Sequence, residues 1–158
     1  MTTDVDLSRS RAAARGCSAV LAGVALTVLV LEQASRHLAG PDYIRLRQAG
    51  YKPFTWFIGV ISVLTLASVI TLTVQAYKHS RHLLRPPLIA LALILVAIVI
   101  TLAVNGPINL EQLNWNPTTP PANWSEIRDH WQLAHAARTV VLLAAAGYLN
   151  LPTGASGG

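Results

Sequence analysis

The chain has 158 residues, of which 53% are hydrophobic and only 12% are charged, and its formal net charge is +5. A soluble domain carries about twice that fraction of charged residues. The apolar residues fall in long uncharged runs, so the composition favours a membrane protein. The basic residues cluster between these runs, where Lys and Arg set topology and contact anionic lipid, which argues against a nucleic-acid partner. The single Cys17 excludes an internal disulfide and a cysteine-based metal cluster.

Four apolar runs follow a polar N-terminal arm at residues 1–14. A helix needs about 20 residues to cross a bilayer, and the predicted membrane domain of residues 15–151 contains spans at about 15–38, 53–77, 86–105 and 124–151. The Gly-rich residues 152–158 are predicted to form a flexible tail. Because open backbone cannot face lipid, we expect an all-α fold, a four-helix transmembrane bundle with short links.

Such a bundle has two distinct ends. The first and third loops lie at one end, and the second loop lies at the other with both termini. Each end carries six Lys or Arg residues, so the charge rule for topology gives a tie. The second loop, "KHSRHLLRPP", is the most densely basic segment. The density of basic residues in this loop favours cytoplasmic termini, and the expected location is the plasma membrane.

Polar residues are concentrated at the end that bears loops one and three. Glu32 ends the first span, and Arg36 lies four residues later, so the two are expected to pair along the helix. Gly106-Pro107 is expected to break the third helix, with Asn105 and Asn109 beside the break.

The fourth helix opens with a second polar group. Trp131, His135 and Arg138 are spaced by four and then three residues, which places them on one helical face. Ionisable residues at membrane depth face a bundle interior or a polar cavity. We therefore predict one polar pocket beneath loops one and three. Simpler roles stay open, because Arg138 can snorkel to the headgroups and Glu32 can form a purely structural ion pair.

Histidines raise the question of a metal. His135 can titrate near neutral pH and act as a base. His37 and His130 lie at the same end of the bundle. No H-x-x-x-H spacing with a carboxylate is present, so the prediction is no metal, with His135, His130 and His37 as the ligands if one binds. Asn123 with Glu126 three residues on predicts a capped start of helix four near Trp124.

Three motifs resemble the anthrone-oxygenase-like family of small four-helix membrane proteins. They are the acidic end of span one, "LEQASRHLAGPDYIRLRQ", the "NGPIN" stretch, and the W-x-x-x-H-x-x-R pattern of helix four. The resemblance covers roughly residues 15–150. It implies oxidation of an anthrone to an anthraquinone with dioxygen as co-substrate and without flavin or haem. Family members that oxidise polyketides often carry Asn in place of His135, so this chain departs from them there.

The resemblance also implies roles for the polar set. His135 would be the base, oriented by Glu32, and Arg138 would stabilise the oxyanion with Asn105 and Asn109. Trp131 would stack on a flat substrate. The complete predicted set has a catalytic part, His135, Arg138 and Glu32, and a substrate-binding part, Asn105, Asn109, Trp131, Arg36 and Arg47.

Two other functions are compatible with the sequence. The chain could be a non-catalytic subunit or scaffold of a larger membrane complex, or a histidine-metal-dependent membrane oxidase. An oxygenase predicts a pocket lined by the polar set, whereas a scaffold predicts polar side chains that bond only to one another. The metal oxidase predicts two or more His nitrogens facing one point. The expected partners are a lipophilic small molecule, membrane lipid and a second copy of the chain.

Overall fold

In a computed structural model, which describes residues 2–151 with side chains from residue 6, the chain is entirely helical. No strand occurs in that part. The all-α prediction is therefore confirmed. Five helices carry the fold: α1 (Thr2–Ala34), α2 (Gly40–His79), α3 (Arg85–Ile100), α4 (Gly106–Leu113) and α5 (Trp124–Asn150). Short 3₁₀ turns at Ser35–His37 and Arg81–Leu83 join the first three, and a π-helical turn at Thr101–Asn105 joins α3 to α4.

Three helical segments within residues 2–151 are long and apolar enough to cross a membrane. They are Asp6–His37, Gly40–His79 and Arg85–Leu113. The chain is a membrane protein by this criterion. Helix α5 matches the predicted fourth span in its bounds, but its polar first half lowers its mean hydropathy, and it is not among the three.

Exposed aromatic residues mark the membrane register of α2. Trp56 and Tyr77 are both exposed and lie 21 residues apart, about 32 Å along a helix. That length matches the hydrocarbon thickness of about 30 Å, and Trp and Tyr are enriched at the two interfaces. The part of α2 before Trp56, which includes Arg47 and Lys52, therefore lies at headgroup level or beyond.

Two helices extend past the predicted span boundaries. Helix α1 begins at Thr2 inside the predicted arm, because Leu7 and Ala14 are buried in the bundle core. Arg15 Nε donates a 2.7 Å hydrogen bond to the carbonyl of Leu149, which ties α1 to the end of α5. Helix α2 begins at Gly40 rather than at residue 53, so residues 40–52 continue the helix and do not form a loop. The predicted tail, 152–158, lies outside the described residues.

The predicted break at Gly106-Pro107 is wrong, because the chain stays helical from Arg85 to Leu113. The π-helical turn adds one residue to the turn, and Pro107 falls in the first turn of α4, where a missing N–H is tolerated. A side chain at Gly106 would place its Cβ 3.1 Å from the carbonyl oxygen of Thr101, which is tighter than an ordinary contact, so the widened turn favours glycine at this position. Such turns occur often at functional sites.

The bundle is densely packed at the end that holds the termini and hollow towards the other end. Alanines on α1, α3 and α5 pack against the buried Val69 and Leu72 of α2, as expected where helices associate in lipid through small residues. Along α2, however, no residue between Ile44 and Thr65 is buried. This stretch forms the wall of a cavity.

A second, small cluster fixes the third loop over the hollow end. Tyr43, Ile44 and Trp115 are buried there, with Trp124 packed against them. Gln48 Nε2 donates to the carbonyls of Gln112, Leu113 and Trp115 and so caps the end of α4. Helix α5 begins at Trp124 as predicted, but the predicted capping box is wrong, because the Asn123 side chain makes no capping hydrogen bond.

Candidate functional site

A cavity of about 760 Å³ lies among α1, α2 and α3, and α5 contributes part of its wall. Most of the lining is aliphatic or aromatic, and several lining residues, including Leu31, Phe54 and Leu102, are also exposed on the outer surface. The cavity therefore opens between the helices. Five of the eight predicted site residues line it, Glu32, Arg47, Asn109, Trp131 and Arg138. The other polar groups of the lining are hydroxyls, those of Ser35, Tyr51, Thr55, Ser62 and Thr101.

Glu32 pairs with Arg47 and not with Arg36. Arg47 Nη1 lies 2.8 Å from Glu32 Oε1, and both side chains are largely buried. The predicted Glu32–Arg36 pair is wrong, because α1 ends at Ala34 and the following 3₁₀ turn carries Arg36 outward to Asp129, at 3.0 Å. The other carboxylate oxygen, Oε2, is held loosely, at 3.4 Å from Gln132 Nε2 and 3.5 Å from the Tyr43 hydroxyl.

Arg47 is the centre of a hydrogen-bond network. Besides Glu32, it donates from Nη2 to Asn109 Oδ1 at 2.7 Å and from Nε to Gln112 Oε1 at 3.0 Å. Its guanidinium carbon lies 4.2 Å from the centroid of the Trp131 ring. Every nitrogen of Arg47 thus has a partner, and the residue joins α1, α2, α4 and α5 at the polar end of the cavity.

Trp131 contacts both Arg47 and His135. The His135 ring stacks on it with centroids 4.9 Å apart and an interplanar angle of 8°. Trp131 is only 4% exposed, so these neighbours leave little of its ring surface free. It still lines the cavity, and its buried Nε1–H has no hydrogen-bond partner in the described part of the chain.

His135 is fully buried, and neither of its nitrogens is open. Nε2 lies 3.0 Å from the carbonyl oxygen of Ala25, and Nδ1 lies 2.7 Å from Arg138 Nη2. A carbonyl only accepts and a guanidinium only donates, so Nε2 carries the proton and Nδ1 is the acceptor. His135 is thus a neutral imidazole that holds Arg138. It is not among the residues that line the cavity.

Arg138 lines the cavity and has an uncompensated charge. Two of its five N–H groups are used, one on His135 Nδ1 and one on Thr101 Oγ1 at 3.1 Å. The other three have no partner among the residues that the structure describes, and the buried Nε is one of these three. Within residues 6–151, no acidic side chain forms an ion pair with Arg138.

Two further predicted residues, Asn105 and Arg36, lie outside the cavity. Asn105 is buried, and its Nδ2 donates to the carbonyl of Trp131 at 3.1 Å, which positions α5 against the π-helical turn. Arg36 is exposed on the outer surface with Asp129. Asn109 does line the cavity, but its Oδ1 is bonded to Arg47.

The three histidines proposed as alternative metal ligands do not converge. His37 and His130 are exposed, whereas His135 is buried with both nitrogens bonded. Among the described residues, no group of three or more His, Cys, Asp or Glu side chains is placed to hold a metal ion.

Several members of the polar network are not among the residues predicted from the sequence. Gln112 follows Asn109 by three residues and shares its helical face, which is the one signal that pointed to it. Gln132 donates to both the backbone and the carboxylate of Glu32, and Thr101 bonds Arg138 from the last turn before α4. Nothing in the sequence near Gln132 or Thr101 distinguishes these residues from ordinary helix positions.

Fold and site together define a helical membrane protein with a lipophilic cavity that ends in a buried ion-pair network and a cationic wall. Residues 48–148 match the sequence model of the family described as anthrone oxygenase. The match spans more than half of the chain, and the chain belongs to this family, as its motifs predicted. The matched part contains the "NGPIN" stretch and the helix-four motif, while Glu32 precedes it. Neither a curated protein nor a solved structure matches the chain.

Proposed function

We propose that this protein is a membrane oxygenase that oxidises a lipophilic, anthrone-type aromatic compound with dioxygen, without flavin or haem. The observation that carries the proposal is Arg138, a cation without a carboxylate partner on the wall of an apolar cavity that also contains the carboxylate of Glu32. A preorganised cation in a dry site stabilises a developing oxyanion. The Glu32 carboxylate in this cavity can act as a general base.

The base is Glu32 in this proposal, and His135 acts through Arg138. Glu32 lines the cavity and its Oε2 has only long, weak contacts, so its lone pairs are available to a substrate proton. His135 has no open lone pair and does not reach the cavity. Its neutral Nδ1 instead fixes the orientation of the Arg138 guanidinium. His135 is therefore a positioning residue.

The reaction begins at the methylene between the two outer rings of the substrate. Glu32 takes one methylene proton, and the charge moves to the carbonyl oxygen on the opposite edge of the middle ring, where Arg138 stabilises it. The base and the cation must approach from different directions, which suits their positions on α1 and α5.

Dioxygen then accepts the electrons of this carbanion. A carbon–oxygen bond forms, and the peroxide anion takes the proton back from Glu32 to give a hydroperoxide. Loss of the second methylene proton to Glu32 breaks the O–O bond and expels hydroxide, which leaves as water with that proton. One oxygen atom becomes the new carbonyl and the other becomes water, so one dioxygen is consumed per quinone formed.

The test is oxygen uptake by the detergent-purified protein with anthrone, with an empty-detergent blank because anthrones also oxidise spontaneously. The proposal requires one dioxygen consumed per anthraquinone, one atom of labelled dioxygen in the product, and a rate that chelators do not change. Release of hydrogen peroxide in place of water, or a rate equal to the blank, would overturn it. A rate that follows added metal would instead favour a metal-dependent oxidase.

A scaffold role is the second candidate, favoured by the mutual hydrogen bonds among Glu32, Arg47, Asn109 and Gln112. A scaffold needs neither the cavity nor the unpaired Arg138. The two candidates separate in one measurement, because a scaffold lacks turnover in isolation and co-purifies with a membrane partner in fixed stoichiometry.

We propose cytoplasmic termini in the plasma membrane, on a charge difference between the two ends. At the site end, Arg36, Arg45 and Arg47 pair with acidic residues. At the opposite end, no described ion pair involves Arg9, Arg11, Lys78, Arg81 or Arg85. Unpaired basic residues favour the leaflet rich in anionic lipid. In a chain with Cys17→Ala, an impermeant thiol reagent on intact cells should label Thr118→Cys and spare His82→Cys, and the reverse pattern would refute this orientation.

A further inference from the structure

The cavity is longer than a fused three-ring compound. On α1 its lining runs from Glu32 to Leu21, about three helical turns or 16 Å, and on α2 from Arg47 to Ser62, about 22 Å. Three fused rings have roughly the length of two helical turns, about 11 Å. A ring system that begins at Glu32 and Arg47 would therefore leave about 5 Å of the cavity unfilled along α1 and about 11 Å along α2.

The far part of the cavity is apolar and lies at hydrocarbon depth. Its lining includes Leu21, Ile58, Gly59 and Ile94, with the Ser62 hydroxyl as a minor polar contribution. Because α2 passes the membrane interface near Trp56, these residues lie on the hydrocarbon side of the interface, whereas Arg47 lies at headgroup level or beyond. The cavity thus has a charged end at the interface and an apolar end that follows the direction of the lipid chains.

We propose that the substrate is an amphiphile, a planar phenolic or anthrone-type ring system that carries a long alkyl or isoprenoid chain. This inference rests on the proposed function. The ring system occupies the end formed by Glu32 and Arg138, and the chain extends along α1 and α2 to Leu21 and Gly59. Such a molecule partitions into the membrane with its ring at the interface, which is the orientation that the cavity accepts. An unsubstituted tricycle fills only the charged end.

Gly59 offers a direct test of the chain-binding end. Gly59 lines the cavity, and a Cβ there meets no atom within 4 Å, so we expect a larger side chain to occupy cavity space without displacing a neighbour. Gly23 on α1 also has open space around a Cβ, but it does not line the cavity. Gly59→Leu and Gly23→Leu are therefore matched variants, and both keep Glu32 and Arg138 intact.

The experiment measures dissociation constants of anthraquinones with methyl, hexyl and dodecyl chains, in nanodiscs of one lipid composition, by quenching of tryptophan fluorescence. Oxygen uptake with the corresponding anthrones is recorded in parallel. In Gly59→Leu the dodecyl compound should bind about tenfold more weakly and the methyl compound within about twofold of wild type. Gly23→Leu should bind all three as wild type does, which removes membrane partitioning as an explanation.

The amphiphile proposal would be overturned if Gly59→Leu and Gly23→Leu changed the dissociation constants equally, or if these constants did not depend on chain length. Either result would count even if every anthrone is oxidised. Chain-dependent binding that Gly59→Leu abolishes, without any oxygen uptake, would support the cavity's ligand class and overturn the oxygenase proposal. Recovery of a bilayer phospholipid at one per protein, not displaced by the dodecyl compound, would also refute the inference, because an ordinary lipid would then be the occupant.

Discussion

Replacing Arg138 by Met tests the oxyanion role most directly. The change keeps an unbranched side chain and removes the charge, together with two donated hydrogen bonds, to His135 and to Thr101. Loss of one oxyanion donor costs about 10²–10³ in kcat, close to 2.7–4 kcal/mol. Because the charge acts on the transition state more than on the neutral substrate, kcat should fall while KM changes little.

Arg138→Met should also lower the free energy of unfolding. His135 Nδ1 loses its only donor and stays buried, which costs about 1–3 kcal/mol for an unsatisfied acceptor. The control is Arg45→Met, because Arg45 is exposed and its pair with Asp42 is worth about 0.2–1 kcal/mol. Steady-state oxygen uptake with anthrone, on samples of matched helicity by circular dichroism, gives both constants. An Arg138→Met protein that is folded and within threefold of wild-type kcat would refute the oxyanion assignment.

Three further substitutions, and a fourth that serves as a control, test the base, the ion pair and the packing of α2. Glu32→Gln should lower kcat by about 10²–10⁴ in the same uptake assay because the base is lost, and activity near the wild-type level would remove Glu32 from the mechanism. Arg47→Met should lower the free energy of unfolding by about 3–5 kcal/mol, since it leaves the Glu32 carboxylate buried and unpaired, as thermal melting in detergent would measure. Gly40→Ala places a Cβ 3.0 Å from the Trp124 ring and should lower the free energy of unfolding by about 1–3 kcal/mol. The control is Gly50→Ala, whose Cβ has an ordinary 3.5 Å contact, and this variant should melt at or above the wild-type temperature.

Local patterns predicted the parts of the site that depend on one helix alone. The spacing of Trp131, His135 and Arg138 placed them on one face of α5, and the structure shows His135 between the other two. The same logic failed for Glu32 and Arg36, because it assumed that the helix continues past Ala34. The partner that Glu32 finds, Arg47, lies 15 residues away across the turn between two helices. No periodicity in the sequence reports such a contact.

The hydrophobic runs determined the helical fold, the membrane environment and the end of the bundle at which the polar residues gather. A lipid-embedded segment must satisfy its own backbone hydrogen bonds and match the thickness of the bilayer, which leaves few structures other than a helix. Tertiary structure alone decided the rest. It paired Glu32 with Arg47 and gave both His135 nitrogens a partner. It also placed Arg138 on the cavity wall without a carboxylate partner from residues 6–151. It also left the middle of α2 unburied and so formed the cavity. These outcomes depend on how four helices meet in space, where a shift of one turn changes every side-chain neighbour.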